Sequence, residues 1–409
     1  MRKLAVLALG VAVGVLAQEG NAHASTELPA PYDARSVGLG GTGISYIENG
    51  ASVFHNPAAL DGIRKFAGTA AFTGFIATVK APVLGPRTSL ESETAVNPLF
   101  LLGAGYRLSD RFVVGLGVYP TIGFGGEFKL PANQRLSLTV AKFELAPAVS
   151  FRIIDGLSLG LSYRITHTRQ TFHSPAQPPV APGAPPTPEA DVSLTGTNFF
   201  GLQAGAYYRP IEPLHVGLTF RTQVGGAMTG TTETAGQTFD TRAEFGSPAR
   251  LGLGISYKLI QQLMLTADAK YLFYSGTTDA LRTTVQLPAQ LGGPQTTTTP
   301  FNWKNVPAFG LGVEYWPIEM LAVRGGYSLT KSATPESTAS ALTPAPGWMH
   351  GGHLGVGLKV SDLQIDVGGS YLVVSTEVNR VAPPPPAPGQ PGEYKINAFL
   401  ASASATYAF

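Results

Sequence analysis

The stretch "RLGLGISYKLIQQLMLTADAKYLF", residues 250–273, decides how the rest of the chain is interpreted. Apolar side chains occupy every second position from 251 to 257 and from 263 to 273, and small, polar or charged residues fill most positions between them. Side chains of a β-strand point alternately to its two faces, so this period of two predicts strands with one apolar face. Two such runs around a short polar turn predict an antiparallel hairpin.

The same alternation recurs along the chain and predicts an all-β fold of fourteen strands. The predicted strands span residues 66–79, 97–108, 111–120, 137–153, 157–173, 191–208, 214–230, 237–257, 263–278, 300–315, 320–332, 349–360, 362–378 and 394–409. Alternation alone is compatible with two architectures. In a soluble sandwich the apolar faces pack against each other, whereas in a membrane barrel they meet lipid and the polar faces line the lumen.

Loop lengths distinguish these two architectures. Short turns, such as residues 109–110 and 259–262, alternate with long joins rich in proline, threonine and glycine, such as residues 175–190 and 382–392. Outer-membrane barrels have short periplasmic turns and long extracellular loops, and a sandwich has no reason to sort its loops in this way. We therefore predict a transmembrane antiparallel β-barrel over residues 66–409 that lies in the outer-membrane lipid.

Aromatic side chains cluster where the predicted strands approach the short turns. They are Tyr106, Phe151, Tyr208, Tyr257, Tyr315, Trp316, Tyr407 and Phe409. Aromatic rings collect where hydrocarbon meets water, so we interpret this set as the periplasmic girdle of the barrel. The alternative is the ordinary preference of aromatic residues for strands. An aromatic residue at the end of the last strand also resembles the signal read by the barrel assembly machinery, which we expect as a partner during biogenesis.

Composition limits the compartment and the chemistry. Arg2 and Lys3 precede an apolar run, and "AHA" at 22–24 fits a cleavage site, so residues 1–24 are predicted to be a signal peptide for export. The chain has no cysteine, which excludes disulfides and thiolate chemistry. A formal net charge of +2 argues against a nucleic-acid partner. We expect no cofactor, no metal and a monomeric protein.

Residues 25–65 precede the first strand and are predicted to form a plug inside the barrel. Gly38, Gly40 and Gly43 spell G-x-G-x-x-G, but no strand can be placed before them, so a dinucleotide-binding site is disfavoured. Glycine instead permits the close backbone approach that a compact plug needs. The predicted plug motif comprises Gly38, Gly40, Gly41, Gly43, Asn56, Pro57 and Ala58.

Charged residues are predicted on the lumen face of several strands. They are Arg164, Arg221, Asp268, Lys270, Glu314, Arg324, Lys359 and Asp366. Mixed signs indicate ion pairs that join plug and wall. As an alternative, Arg164, Arg221, Lys270 and Arg324 could bind an anionic head group of a ligand.

Bulky aromatic residues lie toward the extracellular ends of the predicted strands. They are Phe124, Phe128, Phe172, Phe273, Phe301 and Trp303. Two interpretations stay open: an outer aromatic girdle, or an apolar groove that collects a hydrophobic substrate. Phe124, Phe128 and Phe172 are the candidate ligand-binding residues among them.

The stretch "ARSVGLGGTGISYIENGASVFHNPAAL" resembles the N-terminal segment of the FadL family, the outer-membrane transporters of long-chain fatty acids and aromatic hydrocarbons. The tripeptide "NPA" at 56–58 matches the family's most specific short motif, and residues 248–276 and 303–332 resemble its later hairpins. The resemblance implies a fourteen-stranded barrel. It also implies energy-independent transport: substrate binds an extracellular groove and then an interior pocket, the plug shifts, and a kinked third strand opens a sideways exit.

The third predicted strand continues as "RFVVGLGVYPTIGFGGEF" and contains candidate residues for this kink. Pro120 cannot donate a ladder hydrogen bond, and Gly123, Gly125 and Gly126 favour a bend or bulge. The alternative is that these residues simply begin the next loop. The proline-rich loops are not typical of the family, and its carboxylate-binding basic residues cannot be assigned here.

Two other functions are alternatives to transport of hydrophobic molecules. A hydrolase would need a serine and histidine pair with an orienting group, and although His353 faces the predicted lumen near Ser370 and Ser402, no spacing singles them out. The sequence therefore does not indicate an enzyme. The second rival is a barrel of the same architecture that acts as a non-transport adaptor or as a subunit of a secretion system.

Overall fold

The computed structural model describes residues 33–177, 186–244, 246–276, 280–379 and 389–409, with the side chains of residues 122–125 excepted. The predicted signal peptide and parts of both proline-rich loops lie outside these residues. The described chain forms one antiparallel sheet that closes on itself as a barrel of fourteen strands. The all-β transmembrane barrel predicted from the alternation is therefore confirmed.

Short helices precede the sheet, and additional short strands extend it. The helices are α1 (Ala34–Gly38) and α2 (Ser52–His55), followed by a 3-10 turn at Pro57–Gly62. The strands are β1 (Phe66–Ala81), β2 (Leu90–Glu91), β3 (Ala95–Arg107), β4 (Phe112–Lys129), β5 (Arg135–Ile154), β6 (Leu157–Ser174), β7 (Ala190–Ile211), β8 (Leu214–Arg221), β9 (Ala227–Thr234), β10 (Gln237–Glu244), β11 (Ala249–Ile260), β12 (Leu263–Phe273), β13 (Ala280–Val285), β14 (Gln295–Pro300), β15 (Val306–Ile318), β16 (Leu321–Lys331), β17 (Trp348–Val360), β18 (Leu363–Val378) and β19 (Gly392–Ala408). Further 3-10 turns lie at Pro131–Asn133, Ala289–Leu291 and Glu336–Thr338.

The circuit of the barrel runs through fourteen of these strands. Their order is β1, β3, β4, β5, β6, β7, β8, β11, β12, β15, β16, β17, β18 and β19, and β19 pairs with β1 from Ala67 to Lys80 to close the ring. Closure leaves no unpaired sheet edge in the bilayer, where backbone groups find no water. The searched residues contain no helix with the length and apolar character needed to cross a membrane.

The two faces of the barrel wall follow the alternation in the sequence. Leu253, Leu354 and Val367 expose more than half of their surface on the outside. Their neighbours along the strands, such as Gly254 and Asp366, are buried on the inside. Seven of the eight aromatic residues assigned to the periplasmic girdle also point outward, among them Tyr257 and Tyr407, which are 40% and 49% exposed. The exception is Trp316, which is half-buried. The apolar face is therefore the lipid face.

The extracellular side carries an extension of the sheet that the alternation did not predict. The predicted strand 214–230 is two strands, β8 and β9, and the predicted strand 237–257 is β10 and β11. Above the barrel, β7, β9, β10, β13 and β14 pair in that order. The sequence predicts a loop here, because the threonine pair of β13 and the run of four threonines in β14 obscure a period of two.

Two neighbouring strands in the barrel wall are only partly paired. Strand β3 pairs with β4 from Leu102–Val118 down to Arg107–Val113, whereas above this point β3 pairs with β1 and β4 pairs with β5. We call residues 95–101 of β3 and 119–126 of β4 the β3–β4 interruption. The backbone of Glu93, just before β3, donates to the carbonyl of Glu127 of β4 at 2.8 Å, which closes the interruption on the extracellular side.

Candidate functional site

Residues 33–65, which we call the inner segment, lie on the lumen face of the barrel. Helix α1 packs against β17 and β18, where the backbone of Gly38 approaches Gly355. Helix α2 contacts β3, β4 and β5, and the 3-10 turn contacts β4 to β7. The segment thus reaches both sides of the barrel interior.

The glycines of the inner segment serve close packing against the wall. Gly40 has φ 71°, and a Cβ there would overlap the carbonyl oxygens of Leu311 and Tyr327. The side chain of Asp268 accepts hydrogen bonds from the backbone of Gly43 at 3.0 Å and Ile44 at 3.3 Å. The backbone N–H groups that a dinucleotide phosphate would need therefore already donate to a carboxylate of the barrel wall.

The Asn-Pro-Ala tripeptide begins the 3-10 turn and links it to the wall. The Oδ1 of Asn56 accepts from the backbone of Ala58 at 3.1 Å, and Pro57 occupies the first turn, where no N–H is required. The Nδ2 of Asn56 donates to the carbonyls of Ile44 and Ala206 at 3.1 and 3.0 Å. One side chain thus caps the turn, holds the preceding glycine-rich stretch and binds β7.

A buried aspartate at the end of this turn is the main anchor on the same side. Asp61 accepts from Ser158 Oγ at 2.7 Å and from Arg152 Nε at 3.0 Å. Arg107 and Arg209 also contact its carboxylate, at 3.3 and 3.4 Å. Asp61 therefore connects the inner segment to strands β3, β5, β6 and β7. This role of Asp61 is not visible in the sequence, because its partners come from four distant strands.

A chain of charges anchors the opposite end of the inner segment. Arg35 binds Glu314 at 2.7 Å, Glu314 also binds Arg324 at 2.6 Å, and Arg324 binds Asp366 at 2.8 Å. Burial alone would lower the pKa of Arg35, but Glu314 outweighs it and the pKa is raised. Burial likewise opposes ionisation of Asp33, but its hydrogen bond with His55 at 2.8 Å holds the pKa of Asp33 below its usual value.

The other predicted lumen charges also contact protein groups. Arg221 and Arg164 both bind the carboxylate of Glu144, and Lys270 donates to the carbonyl of Gly41 at 2.7 Å. Lys359 is exposed near the periplasmic end of β17. These contacts favour the ion-pair interpretation, while binding of a ligand head group by Arg164, Arg221, Lys270 or Arg324 stays a prediction.

The extracellular aromatic residues lie mostly inside the molecule. Phe128, Phe172, Phe301 and Trp303 are 1% to 4% exposed and belong to one apolar cluster, whereas Phe273 is half-buried. The outer-girdle interpretation is therefore wrong for these four, because their side chains are buried in this cluster and are not exposed on the outer surface. The side chain of Phe124 is outside the described residues.

The loop between β16 and β17 covers this apolar cluster. Its residues Ala333, Ala339, Leu342 and Ala345 are buried in the cluster. Tyr394 donates to the carbonyl of Ala339 at 2.9 Å, which ties the loop to β19. The covering role of this loop is not visible in the sequence, because its alanines stand in a proline- and threonine-rich stretch without a period of two.

The β3–β4 interruption coincides with the residues predicted to kink the third strand of the barrel. The register of β4 against β5 shifts between Pro120 and Ile122, so Thr121 forms a bulge. Tyr119, Pro120 and Thr121 are all buried, so the alternation of exposed and buried side chains along β4 is lost at this bulge. Gly123, Gly125 and Gly126 still pair with β5, so the alternative that they begin a loop does not apply.

Aromatic side chains of the neighbouring strands come together outside this kink. The rings of Phe100 on β3 and Phe143 on β5 stack at a centroid distance of 5.8 Å. By the alternation of their strands, both side chains lie on the lipid-facing side. An apolar contact between β3 and β5 thus lies on the lipid-facing side of the kink in β4.

The hydrolase hypothesis placed His353 near Ser370 and Ser402, but the ring of His353 makes its hydrogen bonds to other groups. His353 contacts the carbonyl of Val37 and the hydroxyl of Ser328, each at 2.8 Å. One group that could hold a metal, His173 with Glu189 and Asp191, brings three ligand atoms within 4.8 Å of one another, and both its acids are exposed. It lies at the extracellular ends of β6 and β7, away from the inner segment.

Comparison with known proteins gives a consistent result. Residues 20–409 match the family model described as outer membrane protein transport protein (OMPP1/FadL/TodX). A FadL homologue of Pseudomonas aeruginosa superposes with a TM-score of 0.79 at 18% identity, over 92% of this chain and 98% of that one. The toluene transporters TodX of Pseudomonas putida and TbuX of Ralstonia pickettii give TM-scores of 0.72 and 0.68 at 18% and 16% identity, each over 93% of this chain and 98% of the other. No curated protein matches the chain.

Proposed function

This chain belongs to the OMPP1/FadL/TodX family of outer-membrane transport proteins for hydrophobic compounds, and from that premise we propose that its substrates are long-chain fatty acids. Members of the family are transport channels and not enzymes. We further propose that substrate enters an extracellular groove, passes to an interior pocket, and leaves sideways into the membrane after the inner segment moves. The observation that carries this route is the β3–β4 interruption below the apolar cluster.

The apolar cluster supports the first part of the route. Phe128, Phe172, Phe301 and Trp303 supply apolar surface on the extracellular side of the lumen. Each methylene of an alkyl chain that is buried from water contributes about 0.8 kcal/mol to binding. Binding is therefore favourable even if the substrate replaces some contacts within the apolar cluster. The β16–β17 loop covers this surface and has to lift when substrate enters.

The interruption supports the last part of the route. Between the paired stretch at Leu102–Val118 and the contact of Glu93 with Glu127, β3 and β4 share no described ladder pair. An alkyl chain that leaves here passes from an apolar interior to lipid without crossing water, and no energy source is needed. Pro120, Gly123, Gly125 and Gly126 are the residues to which we assign this lateral gate.

The inner segment is proposed to act as the plug. It contacts the wall through Asp61 and Asn56 on one side and through Arg35 on the other, and it lies between the apolar cluster and the periplasmic mouth. Since residues 25–32 lie outside the described chain, the plug boundaries of 25 and 65 are part of the proposal. So are cleavage of a signal peptide after residue 24, insertion by the barrel assembly machinery and a monomeric state.

Uptake of a labelled fatty acid tests the proposed function. Cells that lack their own fatty acid transporter would express this chain, and we expect energy-independent uptake of radiolabelled oleate well above the vector control. A matched assay with labelled toluene distinguishes fatty acids from aromatic hydrocarbons. If neither compound is taken up and soluble proteins copurify with the barrel, the adaptor function replaces transport.

A further inference from the structure

Both edges of the β3–β4 interruption carry buried polar side chains whose hydrogen-bonding groups are unsatisfied. Tyr119 is fully buried and Thr121 is 3% exposed, and neither hydroxyl has a hydrogen-bond partner among the described residues. On the facing strand, the Nδ2 of Asn97 is also buried and without a partner in the described chain. A buried polar group without a partner destabilises the folded protein, so three along this interruption need an explanation.

Tyr119 differs in this respect from other buried tyrosines of the chain. Tyr46 donates to the carbonyl of Thr42 at 3.0 Å, Tyr207 binds Glu48 at 2.7 Å, and Tyr394 donates to the carbonyl of Ala339 at 2.9 Å. The ring of Tyr119 packs edge-on against Phe54 at 5.0 Å, a contact that phenylalanine would make equally well. Packing therefore accounts for the ring of Tyr119 and leaves its hydroxyl without a role.

The surroundings of the three groups change from apolar to charged along one strand. The lumen face of β5 carries Leu138 and Val140, then Lys142 and Glu144, all buried. The register places Glu144 opposite Tyr119 on the same face. A molecule aligned with β5 would therefore have apolar surface at one end and polar groups at the other, which is the pattern of an amphiphile.

We propose that Tyr119, Thr121 and Asn97 form a polar subsite at the β3–β4 interruption that binds the carboxylate of a long-chain amphiphile as it leaves the lumen. The proposal rests on the proposed transport function and adds a specificity determinant to it. All three side chains can donate a hydrogen bond, and an ionised carboxylate only accepts. Three donors lower the cost of moving a carboxylate toward lipid, and a plain hydrocarbon gains nothing from them.

The test uses three probes with the same alkyl chain. The full-length protein in detergent is titrated with radiolabelled hexadecanoate, 1-hexadecanol and hexadecane, and uptake of each probe is measured in cells. For Tyr119→Phe we expect about tenfold weaker binding of hexadecanoate, a smaller loss for the alcohol and no change for hexadecane. The thermal midpoint of the variant should not fall, because the hydroxyl has no described partner to lose.

Two further variants keep the test decisive. Thr121→Val preserves the side-chain shape and should weaken hexadecanoate in the same selective way. Tyr163→Phe removes a hydroxyl from the lipid face, where Tyr163 is 39% exposed, and should leave all three probes unchanged. Equal weakening of all probes by Tyr119→Phe would assign the residue a structural role and overturn the subsite, as would unchanged binding of hexadecanoate. Failure of the unaltered protein to bind or take up any probe would instead remove the proposed function.

Discussion

The β18–β19 seam and the β3–β4 boundary are built from similar strands, but only one of them is continuous. Strands β18 and β19 pair without a register shift from Leu363–Tyr407 to Val378–Gly392. Strands β3 and β4 pair over six residues and then separate, although both strands continue beyond the last pair. Unpaired backbone in the hydrocarbon region is costly, so the second arrangement has to be imposed by the sequence of β4.

The difference between the two seams is explained by a few residues. Strand β18 contains the adjacent Gly368 and Gly369 and stays regular, so glycine alone does not break a ladder. Strand β4 adds Pro120, which has no N–H, and the bulged Thr121 directly after it. A proline with an adjacent bulge therefore interrupts the wall, while the following glycines keep their pairing with β5.

The largest expected effect comes from removing the inner segment, which contacts both the β18–β19 seam and the β3–β4 boundary. Deletion of residues 25–65 should leave a folded barrel with an open lumen, since the wall closes through its own strand pairs. We expect a conductance in planar bilayers typical of an open pore, and entry of small solutes that the complete protein excludes. Unchanged permeability would show that the inner segment is not the plug.

The next largest effect should come from filling the interruption. In the double variant Gly125→Val and Gly126→Val, branched side chains on the bent part of β4 should reduce oleate uptake at least tenfold while the barrel still folds. Gly369→Val is the matched control on the continuous seam, because a Cβ there would meet Leu400 O at an ordinary 3.6 Å. Normal uptake by the double variant would contradict the lateral route.

A smaller effect is expected from weakening one anchor of the inner segment. Asp61→Asn removes the charge shared by Arg107, Arg152 and Arg209, and we expect it to reduce the stability of the docked segment by about 2 kcal/mol. On the opposite side, Arg35→Gln should cost less, because Glu314 keeps Arg324.

Hydrogen exchange of the inner segment measures both variants. Asp61→Asn should raise the exchange of residues 52–62 more than Arg35→Gln raises that of residues 34–38. Equal effects on the two sides would show that the anchors are interchangeable.

The smallest expected effect is a pH dependence at Asp33. Because its pKa is held below the usual value, the ionised Asp33 stabilises the folded state at pH above about 4, and this contribution is lost as the pH falls through the lowered pKa. The thermal midpoint should fall on acidification, and Asp33→Asn should show a weaker fall between pH 5 and 2. Identical curves for the two proteins would contradict a role for this carboxylate.

Much of the wall could be predicted from the sequence, because lipid and lumen impose a period of two on each strand. The hairpin at 250–273 is an example: its apolar positions Leu251, Leu253 and Ile255 are all outside. The signal fails where neither face meets lipid. Strands β13 and β14 lie above the membrane, and the apolar residues of β13, Leu281 and Val285, are buried inside the molecule. The apolar cluster likewise uses its aromatic residues inside the molecule.

The candidate site was less predictable, since it depends on contacts between distant residues. Pro120 signals a kink locally, whereas the loss of pairing between β3 and β4 becomes visible only when the register is known. Asp61 lies in an unremarkable turn, and its partners are 46 to 148 residues away in sequence. In the sequence Tyr119 resembles any aromatic residue of a strand. Only the structure shows that its hydroxyl has no described partner, unlike those of Tyr46, Tyr207 and Tyr394.

The pairing of β1 with β19 has a consequence for how the protein is made. The first barrel strand finds its second neighbour more than three hundred residues later in the chain, at Lys80–Lys395 among other pairs. Contacts so distant in sequence slow folding, and until they form β1 presents an open edge to other chains. A chain halted before β19 would therefore aggregate or be degraded, and ring closure becomes the slow, committing step of assembly.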